Sequence, residues 1–332
     1  MTRILVTGGA GYVGSHTCKA LSLAGYVPVT LDDLSGGHAS AVCWGPLVVG
    51  HIADTTLVPA LIAREKISAV LHFAGRIQVG ESVRQPDLYY TANVSHSLAF
   101  LEAVLAAGVR TLVFSSSAAV YGHPQSTPVR EDHPLAPVNP YGETKRVIEE
   151  ALRWHGAAYG LRWMALRYFN AAGADPEGET GEAHEPETHL IPLLLEAALG
   201  RSPPVPVLGN DYPTPDGTAI RDYVHVSDLA EAHVRALEYL NHGGASGVLN
   251  LGSGSGHSVQ TVLDTAAALL GHAVPHTLAP RRAGDPPVLV ADPGQARQML
   301  GWSPSRSDLS TLLTTALAWH RRRSFPDDVN VL

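Results

Sequence analysis

Short apolar runs alternate with longer stretches of helical periodicity through the first half of the chain. Ile4–Val6, Val27–Leu31, Leu47–Val49, Ala69–Phe73, Thr111–Phe114 and Trp163–Leu166 are continuous enough to be strands buried on both faces. Between them, Tyr12–Ala24, Leu57–Lys66, Leu88–Ala107 and Tyr141–Tyr159 carry the spacing of helices, and Gly25 is a natural helix stop. Strand and helix in alternation predict βαβ units, hence an α/β fold with a doubly wound, Rossmann-like parallel sheet. After Arg167 the pattern loosens. Asn170–Glu187 reads as a long loop, and prolines cluster at Pro203–Pro206 and Pro213–Pro215. A helix at Val226–Leu240 and a strand at Val248–Leu251 predict one return to the sheet. Ser258–Leu270 and Leu309–His320 are further helices of a smaller C-terminal α+β lobe. The expected division is residues 1–170, with the return near 226–251, for a dinucleotide and 171–332 for a substrate. The ligand crevice lies between them, at the carboxyl ends of the strands.

Composition narrows the partners. The 332 residues are 45% hydrophobic and carry a formal charge of −8, which offers no basic face to a nucleic acid. No apolar run approaches the roughly 18 residues of a membrane span, and the N-terminus lacks a signal-peptide pattern, so a soluble cytoplasmic protein is expected. Cys18 and Cys43 are too few for a disulfide framework or a cysteine-based zinc site. The 17 histidines show no His-Glu-x-x-His spacing, and no metal is expected.

The first strand runs into Thr7-Gly8-Gly9-Ala10-Gly11-Tyr12-Val13-Gly14. Gly8, Gly11 and Gly14 permit a tight turn and close backbone approach to a pyrophosphate. The helix opened by Tyr12 and Val13 adds free N–H groups and its dipole. Asp32 ends the second strand about twenty residues later. A carboxylate there hydrogen-bonds ribose hydroxyls and repels a 2′-phosphate, which favours NAD over NADP.

Two segments add chemistry. Tyr141-Gly142-Glu143-Thr144-Lys145 opens a helix and puts a phenol and an ammonium on one face. The ammonium, with an oxidised nicotinamide, is expected to lower the phenol pKa so that Tyr141 takes a proton from a sugar hydroxyl. Phe114-Ser115-Ser116-Ser117-Ala118-Ala119-Val120-Tyr121-Gly122 follows the fifth strand and sets Ser117 at its carboxyl end.

With these motifs in order, the chain closely resembles the UDP-galactose 4-epimerases of the extended short-chain dehydrogenase/reductase family. Further blocks carry the likeness: His72-Phe73-Ala74-Gly75, Val79-Gly80-Glu81-Ser82, Pro140-Tyr141-Gly142, Arg167-Tyr168-Phe169-Asn170, Gly209-Asn210-Asp211-Tyr212-Pro213-Thr214, Arg221-Asp222-Tyr223-Val224-His225 and Arg281-Arg282-Ala283-Gly284-Asp285. The resemblance implies that Tyr141 is the acid/base on sugar O4, assisted by Ser117, and that Lys145 tunes Tyr141 and holds the nicotinamide ribose. It places Ile52, Phe73, Ala74, Gly75 and Phe169 around the cofactor. Asn170, His189, Leu190, Leu208, Arg221, Tyr223, Arg282, Asp285 and Leu289 fall to the UDP-sugar. Implied too are retained NAD, no net redox change, and a homodimer formed through the helices Leu88–Ala107 and Tyr141–Tyr159. His51, Ala92 and His189 depart from residues often found in the family, and Leu289 bounds the sugar pocket. UDP-N-acetylglucosamine and UDP-glucuronate therefore remain alternative substrates. A dehydratase would need acids where Ala118 and Ala119 stand, and a non-catalytic NAD-binding regulator would not need the Ser-Tyr-Lys set.

Overall fold

The computed structural model describes residues 1–282 and 284–322. Ala283, within the last block quoted above, and positions 323–332 of the C-terminal lobe lie outside the described residues. The six apolar runs are strands: β1 (Arg3–Thr7), β2 (Val27–Asp32), β3 (Leu47–Val49), β4 (Ile67–His72), β5 (Thr111–Ser117) and β6 (Arg162–Tyr168). Beyond them come β7 (Asn170–Ala172), β8 (Val205–Leu208), β9 (Ile220–His225), β10 (Gly247–Leu251), β11 (Gly256–Ser258), β12 (His276–Ala279) and β13 (Val288–Leu289). Seven parallel strands make the main sheet in the order β10-β6-β5-β4-β1-β2-β3.

The helices are α1 (Tyr12–Leu23), α2 (Leu57–Glu65), α3 (Val79–Arg84), α4 (Pro86–Tyr89), α5 (His96–Ala106), α6 (Pro140–Tyr159), α7 (Leu190–Ala198), α8 (Val226–Asn241), α9 (Val259–Leu270), α10 (Gly294–Leu300) and α11 (Leu309–Arg322). Successive strand side chains point to opposite faces, and each face has its own apolar core. Leu5, Val70, Leu112 and Phe114 pack with Val58, Phe100, Val104, Ile148 and Leu152 of α2, α5 and α6. Ile4, Val6, Leu71 and Val113 pack with Cys18, Leu21, Leu229 and Leu237 of α1 and α8. This double covering explains why the strands read as continuous apolar runs. Each fully buried Leu, Ile or Phe among them contributes about 1.5–3 kcal/mol.

Strand order reverses between β1 and β4, and that reversal opens a crevice outside the carboxyl ends of the strands. The smaller lobe is centred on β9, which pairs with β7 and β13 in parallel and with β11 antiparallel. β8 and β12 form a separate two-stranded ladder. Asp222, fully buried on β9, ties these parts together. Its carboxylate accepts from Ser253 N (2.7 Å), Ser253 Oγ (2.6 Å), Gly254 N (3.0 Å) and Ala291 N (3.1 Å).

The single helix predicted over Leu88–Ala107 is interrupted. A π-helical turn at Tyr90–Ser95 separates α4 from α5. The wider turn carries Asn93 inward, where its Oδ1 accepts from Arg76 N at 2.7 Å and its Nδ2 donates to Arg76 O at 2.9 Å. The long loop predicted over Asn170–Glu187 likewise begins as β7, a strand too short for sequence periodicity to mark.

Candidate active site

Gly8, at φ +72°, closes the turn after β1 and donates to Leu31 O of β2. A Cβ on Gly8 would stand 2.6 Å from Ala74 N, and one on Gly14 would stand 2.1 Å from Gly8 O. Helix α1 therefore sits as close to the turn as backbone allows. Its N-cap, Gly11, has no capping side chain, and its first turn holds no acid. Those N–H groups are unopposed donors for a pyrophosphate. Asp32 is buried, with Oδ2 accepting from Ala10 N at 3.0 Å and Oδ1 from Leu34 N at 2.9 Å. Burial raises its carboxyl pKa despite these bonds, and each oxygen keeps a lone pair for a ribose hydroxyl.

Phe73 and Ala74 both donate backbone N–H to Thr7 O, so Phe73, Ala74 and Gly75 form the wall opposite the glycine turn. The Phe73 ring itself turns toward α8, 4.7 Å from the His233 ring. Ile52 is buried in the α2 side of the core, close behind β3.

Ser117 ends β5, and its Oγ accepts from Ala119 N at 3.1 Å, starting a short 3-10 turn at Ala118–Tyr121. Asn139 caps α6 by accepting from Gly142 N at 2.8 Å, with Pro140 in the first helical position. That start sets Tyr141 beside Ser117, close enough for the Ser117 hydroxyl to favour the ionised phenol. Lys145, one turn on and buried, donates from Nζ to Ser115 O at 2.8 Å and lies 5.8 Å from the centre of the Tyr141 ring. Desolvation lowers its pKa to about 8, against the pull of Glu149.

On the chain's own groups, the phenol is governed by its burial. Burial raises the pKa of Tyr141, and the Ser117 hydroxyl opposes that rise. Lys145 Nζ lies beside the ring and keeps two further N–H donors after its bond to the Ser115 carbonyl.

In the lobe, Phe169 is buried and Asn170 opens β7, in register with Tyr223 on β9. Leu289 pairs with Arg221 across β13 and β9, and packs on the cluster of Ala118, Phe169 and Ala291. Arg221 Nη1 donates to Ile220 O and Pro286 O, both at 2.9 Å, and Nη2 lies 3.6 Å from Asp285. Tyr223 is buried, which pushes its phenol up to about 12. Leu208 ends β8, while His189 and Leu190 are the N-cap and first residue of α7. Arg282 is exposed at the segment beyond β12.

Two groupings escaped the sequence. Behind the Ser-Tyr-Lys set, buried Arg167 grips buried Glu149 through two bonds of 2.9 and 2.6 Å. Glu149 also accepts from Ser116 Oγ at 2.5 Å, and Arg167 donates to Tyr121 Oη at 2.9 Å. This network fixes β5, β6 and α6 relative to one another. The second grouping is Glu182, His184, Glu187 and His189, whose ligand-type atoms all lie within 4.8 Å of one another. The signal was present as Glu-x-His-x-x-Glu-x-His, on a loop rather than a helix.

Comparison with known proteins supplies the family. The model of the NAD dependent epimerase/dehydratase family matches residues 4–252. A UDP-glucose 4-epimerase of Rhizobium meliloti (strain 1021) is 52% identical over 321 residues, covering 97% of this chain and 98% of that protein. One of Azospirillum brasilense is 52% identical over 96% of this chain and 92% of its own length. The crystal structure of UDP-glucose 4-epimerase from Brucella ovis in complex with NAD superposes with a TM-score of 0.94 at 48% identity, covering 96% of this chain and 98% of that one. A glycine turn under an uncapped helix, a buried Asp32 and a match spanning nearly every strand of the main sheet lead to one assignment: the chain belongs to the NAD dependent epimerase/dehydratase family.

Proposed function

We infer that this chain interconverts UDP-galactose and UDP-glucose, working at sugar C4 with NAD kept in place. The observation that carries the reading is the meeting of Ser117, Tyr141 and Lys145 at the carboxyl end of β5, across the crevice from the glycine turn. The close approach of Gly8 and Gly14 and the uncapped start of α1 fit a dinucleotide pyrophosphate. When bound, NAD supplies a hydride acceptor that returns what it takes, with no net redox change.

The chain's own groups handle the proton and the positioning. Tyr141 Oη takes the proton of the C4 hydroxyl and gives it back, and Ser117 Oγ hydrogen-bonds the same oxygen. Lys145 holds the nicotinamide ribose. Gly8, Gly11, Tyr12, Val13 and Gly14 cradle the pyrophosphate, and Asp32 holds the adenosine ribose. Ile52, Phe73, Ala74, Gly75 and Phe169 border the rest of the cofactor. Asn170, His189, Leu190, Leu208, Arg221, Tyr223, Arg282, Asp285 and Leu289 hold the UDP-sugar. On this reading residues 1–170, with the return near 226–251, serve NAD and residues 171–332 serve the nucleotide sugar.

Exposed Val83, Tyr90, Trp154 and Tyr159 on or beside α6 support a homodimer, to be checked by light scattering. A cytoplasmic site of action belongs to the same reading; no helix among the described residues is long and apolar enough to cross a membrane. The test of function is to incubate the purified protein with UDP-galactose, without added cofactor, and resolve the products. UDP-glucose without net NADH is expected, and no conversion even with added NAD would overturn the reading. The same assay with UDP-N-acetylgalactosamine measures how much room Leu289 leaves.

A further inference from the structure

We propose that Glu182, His184, Glu187 and His189 form a binding site for one divalent transition-metal ion of the zinc class. All four come from eight consecutive residues, and their ligand atoms already converge. Glu182 Oε1 lies 3.1 Å from His184 Nδ1 and 2.8 Å from His189 Nδ1. Glu187 Oε1 lies 2.9 Å from His189 Nδ1, and its Oε2 lies 3.8 Å from His184 Nδ1. Zinc bonds nitrogen and oxygen at about 2.0–2.2 Å, so neighbouring ligands round one ion stand roughly 3–3.5 Å apart. The observed separations bracket that value.

The donor set suits such an ion. Two carboxylates neutralise its charge, and two imidazoles provide the softer ligands that distinguish zinc from magnesium or calcium. The surroundings hold the donors in place. Glu187 Oε1 accepts from the backbone N–H groups of Thr188 (2.6 Å) and His189 (2.8 Å). Glu182 is buried, and its carbonyl accepts from Trp319 Nε1 on α11 at 2.9 Å. Both imidazoles face the cluster through Nδ1.

Position suggests what the ion does. The His184 ring stands edge-on to Tyr12, 6.2 Å between centres, and lines a small cavity with Gly11 and Tyr12. His189 caps α7 at the other end of the segment. An ion here staples the dinucleotide turn to the lobe helix, and it touches neither Ser117 nor Tyr141. The inference rests on donor geometry; it shares His189 with the UDP-sugar contacts of the proposed function, so metal binding is measured with no substrate present.

The test uses the full chain, stripped with a chelator and titrated with Zn2+ by calorimetry at pH 8, with the protons released on binding read from buffers of different ionisation heat. One equivalent per chain is expected. Co2+ in its place should give the intense visible bands of a four-coordinate site. His184→Gln and Glu187→Gln, folded by circular dichroism, should each lose that equivalent. Absence of stoichiometric binding in the wild type, or retention of it in both variants, overturns the proposal. Should the variants fail to fold, X-ray absorption of the zinc-loaded wild type decides: two imidazoles with two oxygens support the site, and a shell without imidazole overturns it.

Discussion

At Tyr141 the proposed chemistry depends on one hydroxyl. The phenol lies beside Ser117 and its pKa is held up by burial, so added positive charge nearby favours the ionised form that accepts a proton. Removing the hydroxyl leaves the ring, the helix cap at Asn139 and the Lys145 contact with Ser115 untouched. Tyr141→Phe should therefore lower turnover by about 10²–10⁴-fold, the usual scale of general acid–base catalysis. Bound NAD, read from absorbance, and thermal stability should stay at wild-type values; normal turnover would remove Tyr141 from the mechanism. Ser117, Tyr141 and Lys145 were legible in the sequence because each sits in a contiguous motif at a strand or helix terminus. Glu149 and Arg167 were not. One lies in the middle of a helix and the other at a strand end, and only packing makes them a buried pair.

Element by element, legibility followed length and burial. Inner strands of the main sheet announced themselves because both faces are covered, and the half-exposed edge strand β3 through its run of Leu47-Val48-Val49, whereas β7, β11 and β13 have three, three and two residues and exist only through their pairing with β9. The π turn at Tyr90–Ser95 was also hidden, since the contact it makes, between Asn93 and Arg76, joins residues 17 positions apart. Contact between β1 and α1 is the one that can be tested most sharply. A methyl at position 14 meets the Gly8 carbonyl at 2.1 Å, and that neighbour is backbone rather than a flexible side chain. Gly14→Ala must push α1 away from the turn, at a cost of about 1–3 kcal/mol typical of overpacking. Urea unfolding should show that loss, and the protein should emerge from purification with less bound NAD. A variant with unchanged unfolding midpoint and full cofactor would mean that α1 does not press on the turn.

Across the whole molecule, four buried histidines set the response to acid. His16 on α1, His72 on β4, His225 on β9 and His233 on α8 are each desolvated, which lowers their pKa values to about 3, 3, 4 and 4. All four are engaged as neutral rings: His72, for example, lies 2.6 Å from Thr7 Oγ1 and 3.1 Å from Ser97 Oγ. Unfolded, each regains its ordinary pKa near 6.5. Between pH 7.5 and 6.5 the unfolded rings begin to bind protons, at a cost of about 1.4 kcal/mol. That cost is offset by His184 and His189: beside Glu182 and Glu187 their pKa values rise to about 9 and 10, so the folded form keeps those protons. Below pH 6.5 the unfolded chain binds four protons that the folded chain refuses, so stability falls as pH drops toward the folded values. Integrated from pH 6.5 to 5.5, the loss is about 4 kcal/mol, a large share of the roughly 5–15 kcal/mol that holds a domain together. Buried Asp32 and Asp222, with raised pKa values, bind protons preferentially in the folded form, and they oppose the trend only nearer the carboxylate range. Urea midpoints measured at pH 7.5, 6.5 and 5.5 should therefore be nearly level over the first interval and drop steeply over the second. His72→Gln, which keeps a hydrogen-bonding side chain without a titrating group, should flatten that drop by about a quarter. A midpoint that stays level to pH 5.5 would mean that these rings accept protons inside the fold.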